Sequence, residues 1–210
     1  MRSLRLVRYV AWSLLAFVGT LLVVFGNVVP SREKSVASEV GETASAVVGK
    51  PFVLTSHRGI AVTNETLKGR PYLAFFGFTH CPEICPTTLF ELTDMMKELG
   101  AEADAFNVIF ITVDPERDSR ELLQSYMTSF DERILALRGT PEQTDIALKA
   151  FAAYARRVPE EGGAYTMDHT AGVYLMDAEG MFRGMLDMHE PKETRLQKVR
   201  NLIDTVSLTL

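Results

Sequence analysis

The stretch Phe75–Leu89 reads FFGFTHCPEICPTTL and holds both cysteines of the chain, Cys81 and Cys85. The apolar run Tyr72–Phe78 leads into it, and a helix-like run, Thr87–Leu99, leads out. A continuous apolar run of that length predicts a strand buried on both faces. The thiols therefore sit on a turn between a buried strand and a helix N-terminus. The positive end of a helix and its free N–H groups favour thiolate, the form that binds metal or attacks a disulfide. Pro86 disfavours an α conformation at Cys85 and suits the first helical position, so Cys85 is expected at the N-cap. The two sulfurs can converge on one ion or on each other.

Outward from this stretch, the chain alternates strands and helices. Pro51–Thr55 is a short strand, followed by a turn at Arg58-Gly59. Leu89, Leu92, Met96 and Leu99 recur at helical spacing, and Gly100 ends that helix. Asn107–Val113, NVIFITV, is a second buried strand. Asp118 with Glu121 has a capping-box pattern for a helix to about Phe130; Thr140, Pro141 and Gln143 have another for a helix to about Tyr154. Ile134–Leu137 is a short apolar segment between them, and Arg156–Met167 reads as an irregular connection. Ala171–Met176 and Met181–Leu186 flank Asp177-Ala178-Glu179-Gly180, a hairpin signal. A last helix, Pro191 to Val206, turns Leu196, Val199, Ile203 and Val206 inward. The expected fold is α/β, a mixed central sheet with helices on both faces. A cysteine pair between a strand and a helix adds a thioredoxin-like character.

Length and charge divide the chain of 210 residues. Arg2, Arg5 and Arg8 precede Tyr9–Val29, a run with no charged residue and long enough to span a bilayer. It is longer than the apolar part of a cleaved signal, and the arginines place the N-terminus on the cytoplasmic side. The expected organisation is a cytoplasmic N-terminus at 1–8, a transmembrane helix at 9–29, a flexible tether at 30–46 and one folded domain at 47–210. That domain faces the periplasm or outside of the inner (cytoplasmic) membrane. Net charge is −5, and without the three arginines −8. An acidic domain argues against nucleic acid as partner. Two cysteines do not make a disulfide scaffold.

Two thiolates select a soft ion such as copper(I) or zinc. A structural zinc site needs four protein ligands. His57, His80, His169 and His189 are the candidates to complete a set. His80 adjoins Cys81 and should point away from it; His57 and His189 read as surface residues. His169 precedes the strand Ala171–Met176. Its loop reaches the cysteines only if that strand runs in the right direction. A lone histidine is more often a hydrogen-bonded structural residue. Asp168 could orient His169. Asp114–Asp118 reads as a strand-end turn and helix cap. Met167, Met185 and Met188 read as core filler, and Phe76 and Phe78 as packing residues.

FGFTHCPEICPTTL, Val113-Asp114-Pro115-Glu116-Arg117-Asp118, Gly139-Thr140-Pro141-Glu142-Gln143 and Asp168-His169-Thr170 together resemble the Sco/SenC family. Those proteins deliver copper in cytochrome c oxidase assembly. The resemblance runs from about Val47 to Ile203. It implies a thioredoxin-like fold with copper, as Cu(I) or Cu(II), held by Cys81, Cys85 and His169. It also implies a membrane-anchored metallochaperone that serves the dinuclear copper centre of cytochrome c oxidase subunit II, with thiol–disulfide reductase activity as the one enzymatic role left open. Other periplasmic copper carriers and thioredoxin-like reductases are further expected partners. The alternative is a thiol–disulfide oxidoreductase working through a Cys81–Cys85 redox disulfide. A thioredoxin-type catalyst normally shows Cys-x-x-Cys, and the spacing here is longer. Leu54-Thr55-Ser56-His57-Arg58-Gly59 departs from the family, where a more acidic or amide-rich turn is expected.

Overall fold

The computed structural model describes residues 48–207. The expected N-terminus, anchor and tether all lie outside the described residues. Among the described residues no helix is long and apolar enough to cross a membrane.

A seven-stranded sheet has the order β2-β1-β5-β4-β3-β8-β9. Its strands are β1 (Val53–Ser56), β2 (Ala61–Thr63), β3 (Tyr72–Gly77), β4 (Asn107–Thr112), β5 (Ile134–Arg138), β8 (Val173–Met176) and β9 (Phe182–Leu186). β3, β4 and β5 run parallel, while β1 and β8 are antiparallel to their central neighbours. The helices are α1 (Asn64–Leu67), α2 (Ile84–Leu99), α3 (Arg120–Met127), α4 (Pro141–Ala150) and α5 (Lys192–Ser207). Every residue of β3 is buried, as are five of the six in β4. Side chains alternate across a strand, so unbroken burial means that both faces are covered. The mixed α/β architecture meets the expectation.

The two faces of β3 divide the labour. On one, Phe151 gathers Phe52, Tyr72, Phe76 and Tyr174, with ring centroids 5.4–6.5 Å away. Such pairs contribute about 0.5–1.5 kcal/mol each beyond their burial. They fix the chain where it leaves α4. On the other face, Phe75 and Gly77 meet Phe110 and the Cys85 sulfur.

Local signals explain most element boundaries. Thr140 accepts from the Gln143 backbone N–H at 3.2 Å, and the Gln143 side chain accepts from the Thr140 N–H at 2.9 Å. This is the reciprocal cap expected for α4, whose helix stops at Ala150 instead of about Tyr154. The hairpin turn 177–180 also forms, with Asp177 accepting from the Met181 N–H at 2.8 Å. In α5, Leu196, Val199 and Leu202 are buried and Ile203 is partly buried; the Val206 side chain lies outside the described residues.

Three expectations change. The cap of α3 is Ser119, whose hydroxyl accepts from the Leu122 N–H at 3.1 Å; Asp118 is drawn elsewhere. The connection read as irregular contains a second, two-stranded sheet, β6 (Ala155–Pro159) with β7 (Tyr165–His169). Cys85 lies inside α2, which opens at Ile84 with Glu83 as N-cap. Pro86 then sits in the first turn, where a helix leaves N–H groups unpaired anyway, so its ring is tolerated.

Candidate metal centre

The site lies beyond the C-terminal end of β3, the usual place for ligands in parallel-strand sheets. Cys81 is in the loop leaving β3 and Cys85 in the first turn of α2. His169 ends β7, and β8 begins four residues later. Because β8 is antiparallel to β3, the start of β8 meets the end of β3: Val173 pairs with Phe75. That direction supplies the condition on which the histidine depended.

The donor atoms of Cys81, Cys85 and His169 all lie within 4.8 Å of one another. His169 Nε2 is 3.6 Å from the Cys85 sulfur. Its other ring nitrogen, Nδ1, is 3.0 Å from the Thr170 carbonyl oxygen. A proton on Nδ1 donated to that carbonyl leaves the Nε2 lone pair for an ion. The ring stands edge-on to Phe78 and Phe75, with centroids 5.8 and 6.4 Å away. Two soft sulfurs and an imidazole nitrogen at this spacing form a low-coordinate set suited to a soft ion. A cleft of about 280 Å³ lined by Phe78, Cys81, Ile84, Met167 and His169 leaves room for a further ligand.

The two sulfurs differ. Cys85 is buried and Cys81 half-buried, and both are free thiols. Burial is the main cause that pushes the Cys85 thiol far above its usual range, and the hydrogen bond with Cys81 adds to it. The helix N-terminus therefore does not make Cys85 a ready thiolate; an ion must displace its proton. The Cys81 sulfur accepts the Cys85 backbone N–H at 3.4 Å. It thereby serves as the cap that Glu83 does not provide.

The other histidines stay out of the set. His80 Nδ1 is 3.0 Å from the Thr79 hydroxyl oxygen, and His189 is exposed beside Asp187. His57 is buried, contrary to its reading as a surface residue: its Nδ1 accepts the Ala136 N–H at 3.1 Å. Asp168 is exposed on β7 and lies 3.8 Å from Arg156. It does not reach the His169 ring, whose Nδ1 faces the Thr170 carbonyl instead.

The loop Asp114–Asp118 does more than turn the chain. Tyr165 donates its hydroxyl hydrogen to Asp114 at 3.0 Å, and Arg117 donates to the Tyr165 carbonyl at 2.9 Å. Arg117 also bonds Asp114 and lies over the Tyr165 ring, 3.7 Å from its centroid. Arg157 lies over the same ring at 4.0 Å. These contacts hold the strand that ends in His169. Tertiary pairings of this kind leave no periodic signal in the sequence.

A family model described as SCO1/SenC matches residues 40–204. The mitochondrial protein SCO2 of Saccharomyces cerevisiae is 36% identical over 163 residues, 76% of this chain and 54% of its own. The chain spans about half the length of the curated relatives it matches. Among solved structures, Bradyrhizobium japonicum ScoI with copper bound is 42% identical with a TM-score of 0.70, over 74% of this chain and 99% of that one. BsSco is described as having a disulfide switch and as a member of the Sco family of cytochrome c oxidase assembly proteins. It is 28% identical with a TM-score of 0.61, over 74% of this chain and 93% of that one. Sequence and mixed sheet agree in this: the chain belongs to the SCO1/SenC family.

Proposed function

We propose that this protein is a copper metallochaperone that holds one copper ion through Cys81, Cys85 and His169 and passes it to the dinuclear copper centre of cytochrome c oxidase subunit II. The observation that carries the reading is the convergence of the three donor atoms within 4.8 Å, from two segments far apart in the chain, the cysteine loop and the strand that ends in His169. Copper in the related ScoI supports the choice of ion. Thiolates suit copper(I) and the imidazole helps accommodate copper(II). The open side of the cleft admits a ligand from a partner, so the ion can move by shared ligation. Uptake releases the Cys85 proton. The charge-free run Tyr9–Val29 after three arginines supports an inner-membrane anchor with the domain on the periplasmic side.

The test is the visible spectrum of the full chain with copper(II). Thiolate-to-copper charge transfer is expected in the wild type, lost in Cys81→Ala and Cys85→Ala, and lost or shifted in His169→Ala. Absence of copper uptake by the wild type overturns the reading. The partner is tested by deleting the gene: oxidase activity should fall and be restored by added copper.

A second reading, a thiol–disulfide oxidoreductase acting on the target's cysteines, is favoured by the proximity of two free thiols. It predicts that His169→Ala retains disulfide reduction. Unchanged binding of both copper states by His169→Ala would favour it.

A further inference from the structure

Asp118 is fully buried, yet it caps no helix. Its carboxylate accepts from three donors: the Thr79 N–H at 3.1 Å, the Thr79 hydroxyl and the Thr112 hydroxyl. Thr79 stands two residues before Cys81, at the root of the cysteine loop. Thr112 ends β4, and it also accepts the Asp114 N–H at 3.0 Å. Asp118 therefore ties the cysteine loop to the neighbouring strand. His80 Nδ1 lies 3.8 Å from the same carboxylate, on its solvent side.

The backbone of this loop is itself braced. Arg138, from β5, donates to the carbonyl oxygens of Asp118 at 3.0 Å and Pro115 at 3.1 Å. One residue before Asp118, Arg117 holds the Tyr165 carbonyl of β7. A single five-residue loop thus grips both segments that carry donor atoms: the cysteine loop through Asp118, and the histidine strand through Arg117 and Asp114.

We propose that Asp118 is a positioning residue of the metal centre: by holding Thr79 it fixes where the Cys81 sulfur stands relative to Cys85 and His169. A buried carboxylate accepting three hydrogen bonds leaves the Thr79 backbone little freedom. The inference rests on the proposed copper role for its copper readout, but the thiol geometry it describes exists without metal.

The experiment uses the full chain with Asp118→Asn, Asp118→Ala, Thr79→Val, Thr79→Ser and, as a control on the same loop, the exposed Glu116→Gln. Asn keeps the shape and part of the accepting capacity should Ala fail to fold, and Ser keeps the hydroxyl donor. Each variant is titrated with copper(II) and, separately and metal-free, labelled with iodoacetamide at Cys81. Asp118→Asn and Thr79→Val are expected to shift the charge-transfer band and weaken copper(II) binding at least tenfold. They should also change the Cys81 labelling rate at least threefold. Thr79→Ser and Glu116→Gln should match the wild type in both measurements. A wild-type spectrum and affinity in Asp118→Asn and Thr79→Val would overturn the proposal. If the wild type itself takes up no copper, the copper function fails, and unchanged labelling rates in both variants would then overturn the positioning role by themselves.

Discussion

Val173 pairs with Phe75 across the antiparallel β3–β8 ladder. Phe75 is two residues from the end of β3, and Val173 is the first residue of β8. The chain entering β8 therefore arrives where the chain leaving β3 departs. Had β8 run parallel to β3, the same sequence order would place His169 at the opposite edge of the sheet. Strand direction, more than the distance along the chain, makes the three-donor set.

Gly77 sits under the Cys85 sulfur. A Cβ there would stand 2.8 Å from that sulfur and 2.7 Å from the Phe110 ring. Gly77→Ala should cost about 1–3 kcal/mol by overpacking. It should also weaken copper binding by displacing the sulfur. Denaturant midpoints and a copper competition titration check the two effects separately.

Tyr165→Leu removes the hydroxyl bond to Asp114 and the ring beneath two guanidiniums. The loss should be local, about 2–3 kcal/mol taken from the β6–β7 sheet. Hydrogen exchange should rise across 155–169 while β3 and β4 stay protected. Equal loss of protection in the central sheet would contradict this.

His57 gives a pH dependence. Burial lowers its pKa below 6.5, opposed by the Ala136 carbonyl oxygen 3.4 Å from Nδ1 and assisted by the charges of Arg58 and Arg120. Below 6.5 the unfolded chain takes up a proton that the folded ring refuses, so the unfolded state binds more protons there. Stability contributed by neutral His57 is full above 6.5 and is lost as pH falls from 6.5 through the lower folded value. His57→Gln should flatten the fall of melting temperature between about pH 7 and 5.

Thr140→Ala deletes the reciprocal cap of α4. The expected cost is about 1 kcal/mol. Thermal unfolding of the full chain checks it, and Thr140→Ser should restore most of the loss.

Much of the sheet and part of the site were legible because their signals are local. The run Tyr72–Gly77 is apolar at every position and so on both faces, and Thr140 with Gln143 spells out its own cap. The β6–β7 sheet left no such trace. Arg156, Arg157, Pro159 and Asp168 are exposed and no residue of either strand is buried, so neither has a buried face to create alternation. Its order comes from tyrosine and arginine contacts to a loop about fifty residues earlier in the chain. Asp118 misled for a related reason. Its spacing to Glu121 imitates a cap, but Ser119 next to it takes that task and frees the carboxylate for Thr79. The cysteines were recognisable from their prolines, whereas the protonation of Cys85 depends on packing against Gly77 that no short window of residues records.

The unequal burial of the two sulfurs sets an order of events at the cleft. An incoming donor can touch Cys81 from solvent, while Cys85 is fully buried beside Gly77. Under the proposed copper role, exchange with a recipient then starts at the outer sulfur and finishes at the inner one. The grip of the inner thiolate, the last bond to be surrendered, then governs how long the cargo is retained.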